Sequence, residues 1–207
     1  MEESLRTAIF ASLEQNVPVK DICFSGNGEP SLSPAFPEAL KKAGMIRDEL
    51  VPSAELVLIT NGAGLLEQGL FSLLQNAADL LPLDIWLKLD AGTREWYKKI
   101  NNAEIPFEKL ISKIREFISR APVTIQTMLC AVDGAGPPRE EEQAWEKLML
   151  ELAANAAGIR KVQIYGKARA ASRDPQAAPL PVEYLEKRTA SLRGALGNMS
   201  IPVEVYP

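Results

Sequence analysis

Along the chain, short apolar runs rich in β-branched residues alternate with longer stretches whose apolar positions recur every three to four residues. Six runs read as strands: "VKDICFS" (19–25), "AELVLITN" (54–61), "LDIWLKLD" (83–90), "PVTIQTMLC" (122–130), "IRKVQIYG" (159–166) and "IPVEVYP" (201–207). Helices are expected near 2–15, 35–50, 65–76, 106–120, 139–156 and 181–195. The repetition predicts an α/β fold, mostly parallel in its sheet, with helices packed outside. Ser33 followed by Pro34 reads as an N-cap with proline at the first helical position, and Pro37 still falls in the first turn. Glu140, Glu141 and Glu142 sit where the positive end of a helix dipole favours carboxylates. The loop "SRDPQAAPLP" (172–181) is expected to be a long mobile connection.

Parity within the strands carries more information. In "LDIWLKLD", Ile85, Leu87 and Leu89 share one face and Asp84, Trp86, Lys88 and Asp90 the other, because successive side chains alternate. Thr124, Gln126 and Met128 oppose Ile125, Thr127 and Leu129, while Lys161, Gln163 and Tyr165 oppose Val162 and Ile164. A doubly wound sheet buried on both faces would read as nearly continuous apolar runs. A polar face on successive parallel strands suits a barrel or part-barrel that holds a ligand near the strands' C-terminal ends. The competing expectation is a structural network, with Lys88 paired to Asp90 and the glutamines satisfied by neighbours.

Composition narrows the field. The 207 residues are 46% hydrophobic, enough for a single packed domain over 1–207. The net charge of -4 and the absence of a basic stripe argue against a nucleic-acid backbone as main partner. No apolar run reaches a membrane span and the acidic start reads as helix, so a cytoplasmic protein is expected. Histidine is absent, which excludes histidine-based triads. Cys23 and Cys130 lie in apolar runs and are expected to be buried thiols.

Candidate chemistry centres on "DICFSGNGEPSLSP", where the first strand runs into two glycines and a glutamate. The C-terminal end of a strand ahead of a helix is where α/β folds bind ligands. The loop lacks the Gly-Lys-Ser/Thr ending of a P-loop and the third glycine of a dinucleotide fingerprint. Glu29 would repel phosphate and attract an ammonium group, which suits an amino-acid-like moiety. A tight strand-to-helix turn without a ligand is the alternative.

"FSGNGEPSLSP" resembles the FSGxGEPTLxP signature of a branch of the radical S-adenosylmethionine (SAM) superfamily, Fe–S oxidoreductases related to the tRNA wyosine-forming enzymes. "LITNGAGL", "WLKLDAGTREWYKKIN", "TIQTML", "VQIYGKAR" and "IPVEVY" resemble the family's later segments in order. The resemblance implies a partial (β/α) barrel of the radical SAM type, without its first strand. It implies SAM as the ligand, with Asn27, Gly28 and Glu29 as counterpart of the Gly-Gly-Glu motif that holds the SAM amino group. Lys88 and Asp90 would fall on the strand contacting SAM's ribose and carboxylate, and Asn61, Gln126, Gln163, Tyr165 and Arg169 would line the site. One motif departs: the family holds a 4Fe-4S cluster on Cys-x3-Cys-x2-Cys, and this sequence contains no such motif.

The expected function is therefore the SAM-binding and substrate-binding core of a radical SAM protein, truncated and unable to cleave SAM unaided. The alternative is a cluster-free binding or scaffold module with the same fold, dimerising through the sheet edge that a missing first strand would expose. A third reading, an aldolase or lyase using Lys88 as an amine, conflicts with the neighbouring Asp90, which favours the charged lysine.

Overall fold

The computed structural model describes residues 1–26, 28–101, 105–155, 158–167 and 176–206. They form two compact units, Met1–Trp86 and Leu87–Pro207.

The first unit contains α1 (Glu2–Glu14), β1 (Asp21–Phe24), α2 (Phe36–Leu50), β2 (Glu55–Thr60) and α3 (Gln68–Leu80), and ends within β3 (Leu83–Lys88). β1 and β2 are parallel, with Ile22 beside Leu56 and Phe24 beside Leu58. Leu56, Val57 and Leu58 are buried in succession, so β2 is covered on both faces. β1 ends the sheet, and its burial alternates instead. The buried residues of α2, among them Phe36, Leu40 and Ala43, follow the helical period; burying each large one contributes about 1.5–3 kcal/mol. α1 buries Ile9 and leaves Phe10 and Leu13 exposed.

Two local expectations change here. The helix after the glycine loop starts at Phe36 with Ala35 as N-cap, not at Ser33–Pro34. A 3-10 turn over Pro30–Leu32 intervenes, and the Ser33 carbonyl closes the next turn by accepting the Phe36 N–H at 2.9 Å. Cys23 is exposed, because it points to the uncovered side of an edge strand; Cys130 is buried as expected.

The second unit continues from β3 through α4 (Arg94–Asn101), α5 (Phe107–Ile118), β4 (Val123–Val132), α6 (Arg139–Ala153), β5 (Ile159–Gly166), β6 (Ala177–Pro179), α7 (Val182–Leu196) and β7 (Val203–Tyr206). β4, β5 and β7 are parallel neighbours, and β6 returns antiparallel along the end of β4, with Cys130 beside Pro179. Part of the expected mobile loop is therefore a strand; its residues 172–175 lie outside the described residues.

The parity expectation holds in β4 and β5, and β7, for which none was made, continues the same two faces. Ile125, Val162 and Val203 stand in register on one face and are buried. α7 packs against β5 and β7, burying Leu185, Leu192 and Leu196. On the other face Gln126, Gln163 and Glu204 form one row, and Met128, Tyr165 and Tyr206 the next. No helix among the described residues is long and apolar enough to cross a membrane.

Candidate functional site

In the first unit the glycine loop is organised around Glu29. Gly28 has φ of +130°, a conformation that a side chain rarely adopts, and it turns the chain so that Glu29 faces the end of β2. Glu29 Oε1 accepts from the Ser31 N–H at 3.1 Å, the Ser31 hydroxyl at 2.5 Å and the Thr60 hydroxyl at 2.7 Å. Its Oε2 accepts from the Asn61 N–H at 2.7 Å. A carboxylate offers about four acceptor positions, two on each oxygen. Oε1 is thus fully used by the protein, and Oε2 keeps one position for a donor from outside.

Asn61 meets Glu29 through its backbone. Its side-chain oxygen accepts from the Ala63 N–H at 2.9 Å and closes the turn after β2. Ser31 is buried and lies against Gly64, where a Cβ would come 2.4 Å from the Ser31 hydroxyl oxygen. The cluster of Glu29, Ser31, Thr60 and Asn61 ties the ends of two adjacent strands together. Sequence reading finds Glu29 and Asn61; Ser31 and Thr60 look like ordinary turn and strand-end residues until the carboxylate is placed.

In the second unit Asp90 follows β3 and is 4% exposed. Its Oδ1 accepts from the Met128 N–H at 2.7 Å, and among the described residues its Oδ2 has no hydrogen-bond partner. Burial pushes the Asp90 carboxyl above its ordinary value, an effect that the Lys88 charge and the Met128 N–H oppose. The phenols of Tyr165 and Tyr97 are raised too, first by burial and then by the Asp90 charge. Asp90, Lys88, Tyr97 and Tyr165 therefore share one electrostatic neighbourhood beside β4.

The neighbouring row is a hydrogen-bonded chain. Gln126 Nε2 donates to Gln163 Oε1 at 3.0 Å, and Gln163 Nε2 donates to Glu204 Oε2 at 3.4 Å. Glu204 also accepts from the Tyr206 hydroxyl at 2.8 Å, which holds its carboxyl below the ordinary value. Glu204 has no place in the sequence-derived site, although its parity with Gln163 could have found it. Asn27 and Arg169 lie outside the described residues.

The loop after Asp90 has a partner that sequence reading assigns to a different task. Glu141, 3% exposed, accepts from the Gly92 N–H at 2.5 Å and from the Thr93 N–H and hydroxyl at 2.9 and 2.5 Å. Burial raises its pKa, and these three bonds oppose the rise. Its carboxylate holds the backbone that links Asp90 to α4.

No family model and no curated protein matches the chain. Among solved structures, a radical SAM methyltransferase from Sphaerobacter thermophilus matches with a TM-score of 0.72 and 17% identity over 100% of this chain. This chain spans 56% of that one. The likeness establishes a fold: helices around a mostly parallel sheet, as in a partial radical SAM barrel.

Proposed function

We propose that this chain is the SAM-binding and substrate-binding core of a radical SAM-type protein and that it does not cleave SAM by itself. The observation carrying the reading is the Glu29 carboxylate, fixed at the ends of β1 and β2 by Ser31, Thr60 and Asn61 with one acceptor position remaining on Oε2. Such a group suits the ammonium of an amino-acid moiety, because a charge-assisted bond to a preorganised carboxylate needs no further ordering.

When bound beside a reduced Fe–S cluster, SAM supplies a carbon radical. The residues present fit SAM and not the cluster. The sequence has two cysteines, Cys23 exposed on β1 and Cys130 buried on β4, and three thiolates are needed to hold such a cluster. The residues of this chain bind and orient; any radical step depends on ligands from elsewhere.

The test is thermal denaturation with and without SAM. A ligand at 100 times its Kd adds about 2.7 kcal/mol to the native state. For a chain of this length, that raises Tm by about 5–10 °C. Glu29→Gln keeps the size of the side chain and loses the charge, and should reduce the shift to under about 2 °C. An unchanged Tm in wild type with SAM would remove the reading.

A second reading, a cluster-free scaffold that dimerises, is favoured by the edge position of β1 and the exposed Phe10, Leu13 and Val17 before it. Light scattering behind size-exclusion chromatography decides it: a monomer at about 100 µM removes the edge-pairing idea.

A further inference from the structure

Helices α2 and α3 leave a groove of about 320 Å³ on the surface of the first unit. Its α2 wall carries Leu40, Lys41, Gly44, Met45 and Asp48, whose spacing of three and four places them on one helix face. Leu40 and Gly44 are buried and form the floor; a Cβ on Gly44 would come 3.6 Å from Leu81 Cδ2, just past the end of α3. Met45 and Leu80 stand at the rim, 63% and 81% exposed. A lone exposed apolar side chain is ordinary, but two of them bordering one apolar groove make a contiguous patch, and such patches mark contact surfaces.

The charges on this stripe say what covers it. Lys41 and Asp48 lie on either side of a midpoint between Gly44 and Met45, each about 5 Å from it along the axis at a rise of about 1.5 Å per residue. Lys41 has no ion-pair partner among the described residues, whereas Lys42 beside it meets both Glu2 and Glu38. Asp48 meets Arg47 through Oδ1 and keeps Oδ2 free among the described residues, on a side chain that is 62% exposed. A cation and a carboxylate equidistant from an apolar centre make the helix face complementary to itself in the reverse direction. A two-fold rotation through that centre sets Lys41 of each copy opposite Asp48 of the other and brings the two Met45 side chains together. A parallel approach in register would instead set Lys41 against Lys41 and is penalised.

We propose that the α2–α3 groove is the contact surface of a homodimer, in which two copies pack antiparallel through α2 about a two-fold axis at Gly44 and Met45. Every contact then occurs twice: Met45 and Leu80 of both copies form a dry centre, and two Lys41–Asp48 pairs flank it. The centre supplies the attraction. The exposed pairs fix the register and exclude other orientations more than they add affinity. This surface uses neither the Glu29 cluster nor the edge of β1, so it stands apart from both readings of function given above.

The experiment is sedimentation velocity of the intact chain over a concentration series, with circular dichroism to verify that each variant is folded. Wild type should form a reversible dimer with Kd below about 100 µM, as suits an interface at the small end of the size range. Lys41→Asp and Asp48→Lys each set like charges at both pairs and should each raise Kd at least about ten-fold. An equimolar mixture of the two variants should associate again, to within about three-fold of wild type, because each copy then presents the charge that the other lacks. Only a contact between copies restores association on mixing; a role of these residues within one chain does not. Met45→Glu should leave a monomer, and Phe10→Glu, beside the edge of β1, should change nothing. Lys41→Asp and Met45→Glu, both at exposed positions, decide the matter alone if Asp48→Lys disturbs its neighbour Arg47. A wild type that stays monomeric, a dimer that survives Lys41→Asp or Met45→Glu, a mixture of folded variants no better than its components, or a dimer lost in Phe10→Glu overturns the proposal.

Discussion

Glu141 and Thr93 lie 48 residues apart, yet the Glu141 carboxylate accepts from both the N–H and the hydroxyl of Thr93, at 2.9 and 2.5 Å. The same carboxylate takes the Gly92 N–H, so a residue of α6 fixes the loop that follows Asp90. Glu141→Ala leaves two N–H groups without their acceptor and should cost about 2–4 kcal/mol. That corresponds to a fall in Tm of about 5–12 °C. Glu140→Ala, one residue earlier and exposed, should stay within about 0.5 kcal/mol. Equal losses in the two variants would show that the effect is helix-terminal charge and not the clamp.

Gly92 is held by contact and not by conformation. A Cβ there would lie 2.0 Å from the Trp145 nitrogen and 2.4 Å from its Cα, both backbone atoms of α6. Gly92→Ala must push α6 away from the loop and should lose more than about 3 kcal/mol. Gly69 lies in α3 with nothing within 4 Å of the same construction. There Gly→Ala should stabilise by about 0.5–1 kcal/mol through helix propensity. Chemical denaturation of the two variants measures both; a mild effect at Gly92 would mean that α6 is loosely seated.

What the sequence discloses follows from which interactions are periodic. The strand "IRKVQIYG" is legible to the residue because its apolar Val162 and Ile164 alternate with polar Lys161, Gln163 and Tyr165, and its eight residues match the run expected over 159–166. The three-strand parity that turns Gln126 and Gln163 to one face is legible for the same reason. α4 escapes the sequence pattern because eight residues, about two turns, are shorter than the window over which a helical period can be counted, although it buries Trp96 and Tyr97. β6 escapes it because three residues of strand inside a proline-bearing segment look like loop, and only their pairing with Cys130–Val132 makes them strand. Glu141 misleads because a carboxylate in a first helical turn has a local explanation, and nothing local shows that Gly92 will come within reach.

The two thiols should separate cleanly. Cys23 is exposed at the sheet edge and Cys130 is 2% exposed on β4. Partial desolvation, with the Asp21 charge adding to it, pushes the Cys23 thiol up, and the Ser25 contact opposes this. Since the thiolate is the nucleophile, native protein should react with iodoacetamide at Cys23 slowly at neutral pH and faster as the solution becomes alkaline. Cys130 should react only after unfolding. Intact-mass spectrometry with peptide mapping reads the outcome, and native labelling of Cys130 would contradict the packing of β6 against β4.

Asp90 ties stability to ligand binding. Its carboxyl is raised in the folded chain, chiefly by burial, so the folded state holds a proton that the unfolded state has already released. With more protons bound in the native state, stability falls as pH rises from the unfolded pKa through the folded one, and levels off above it. Asp90→Asn keeps an oxygen for the Met128 N–H and removes the titration. Its urea midpoint should therefore gain on wild type across that window and hold a constant lead above it. Glu141 titrates in the same direction but is present in both proteins and cancels from the difference. A wild-type-minus-variant difference that stays flat from acid to neutral pH would show that Asp90 is not desolvated as placed. Asp90 Oδ2 has no partner among the described residues, so a bound donor relieves part of this burden and any ligand that reaches Asp90 should narrow the lead of the variant at neutral pH. An Asp90→Asn variant that is more stable and binds less well is what a site held open for a hydrogen-bond donor requires.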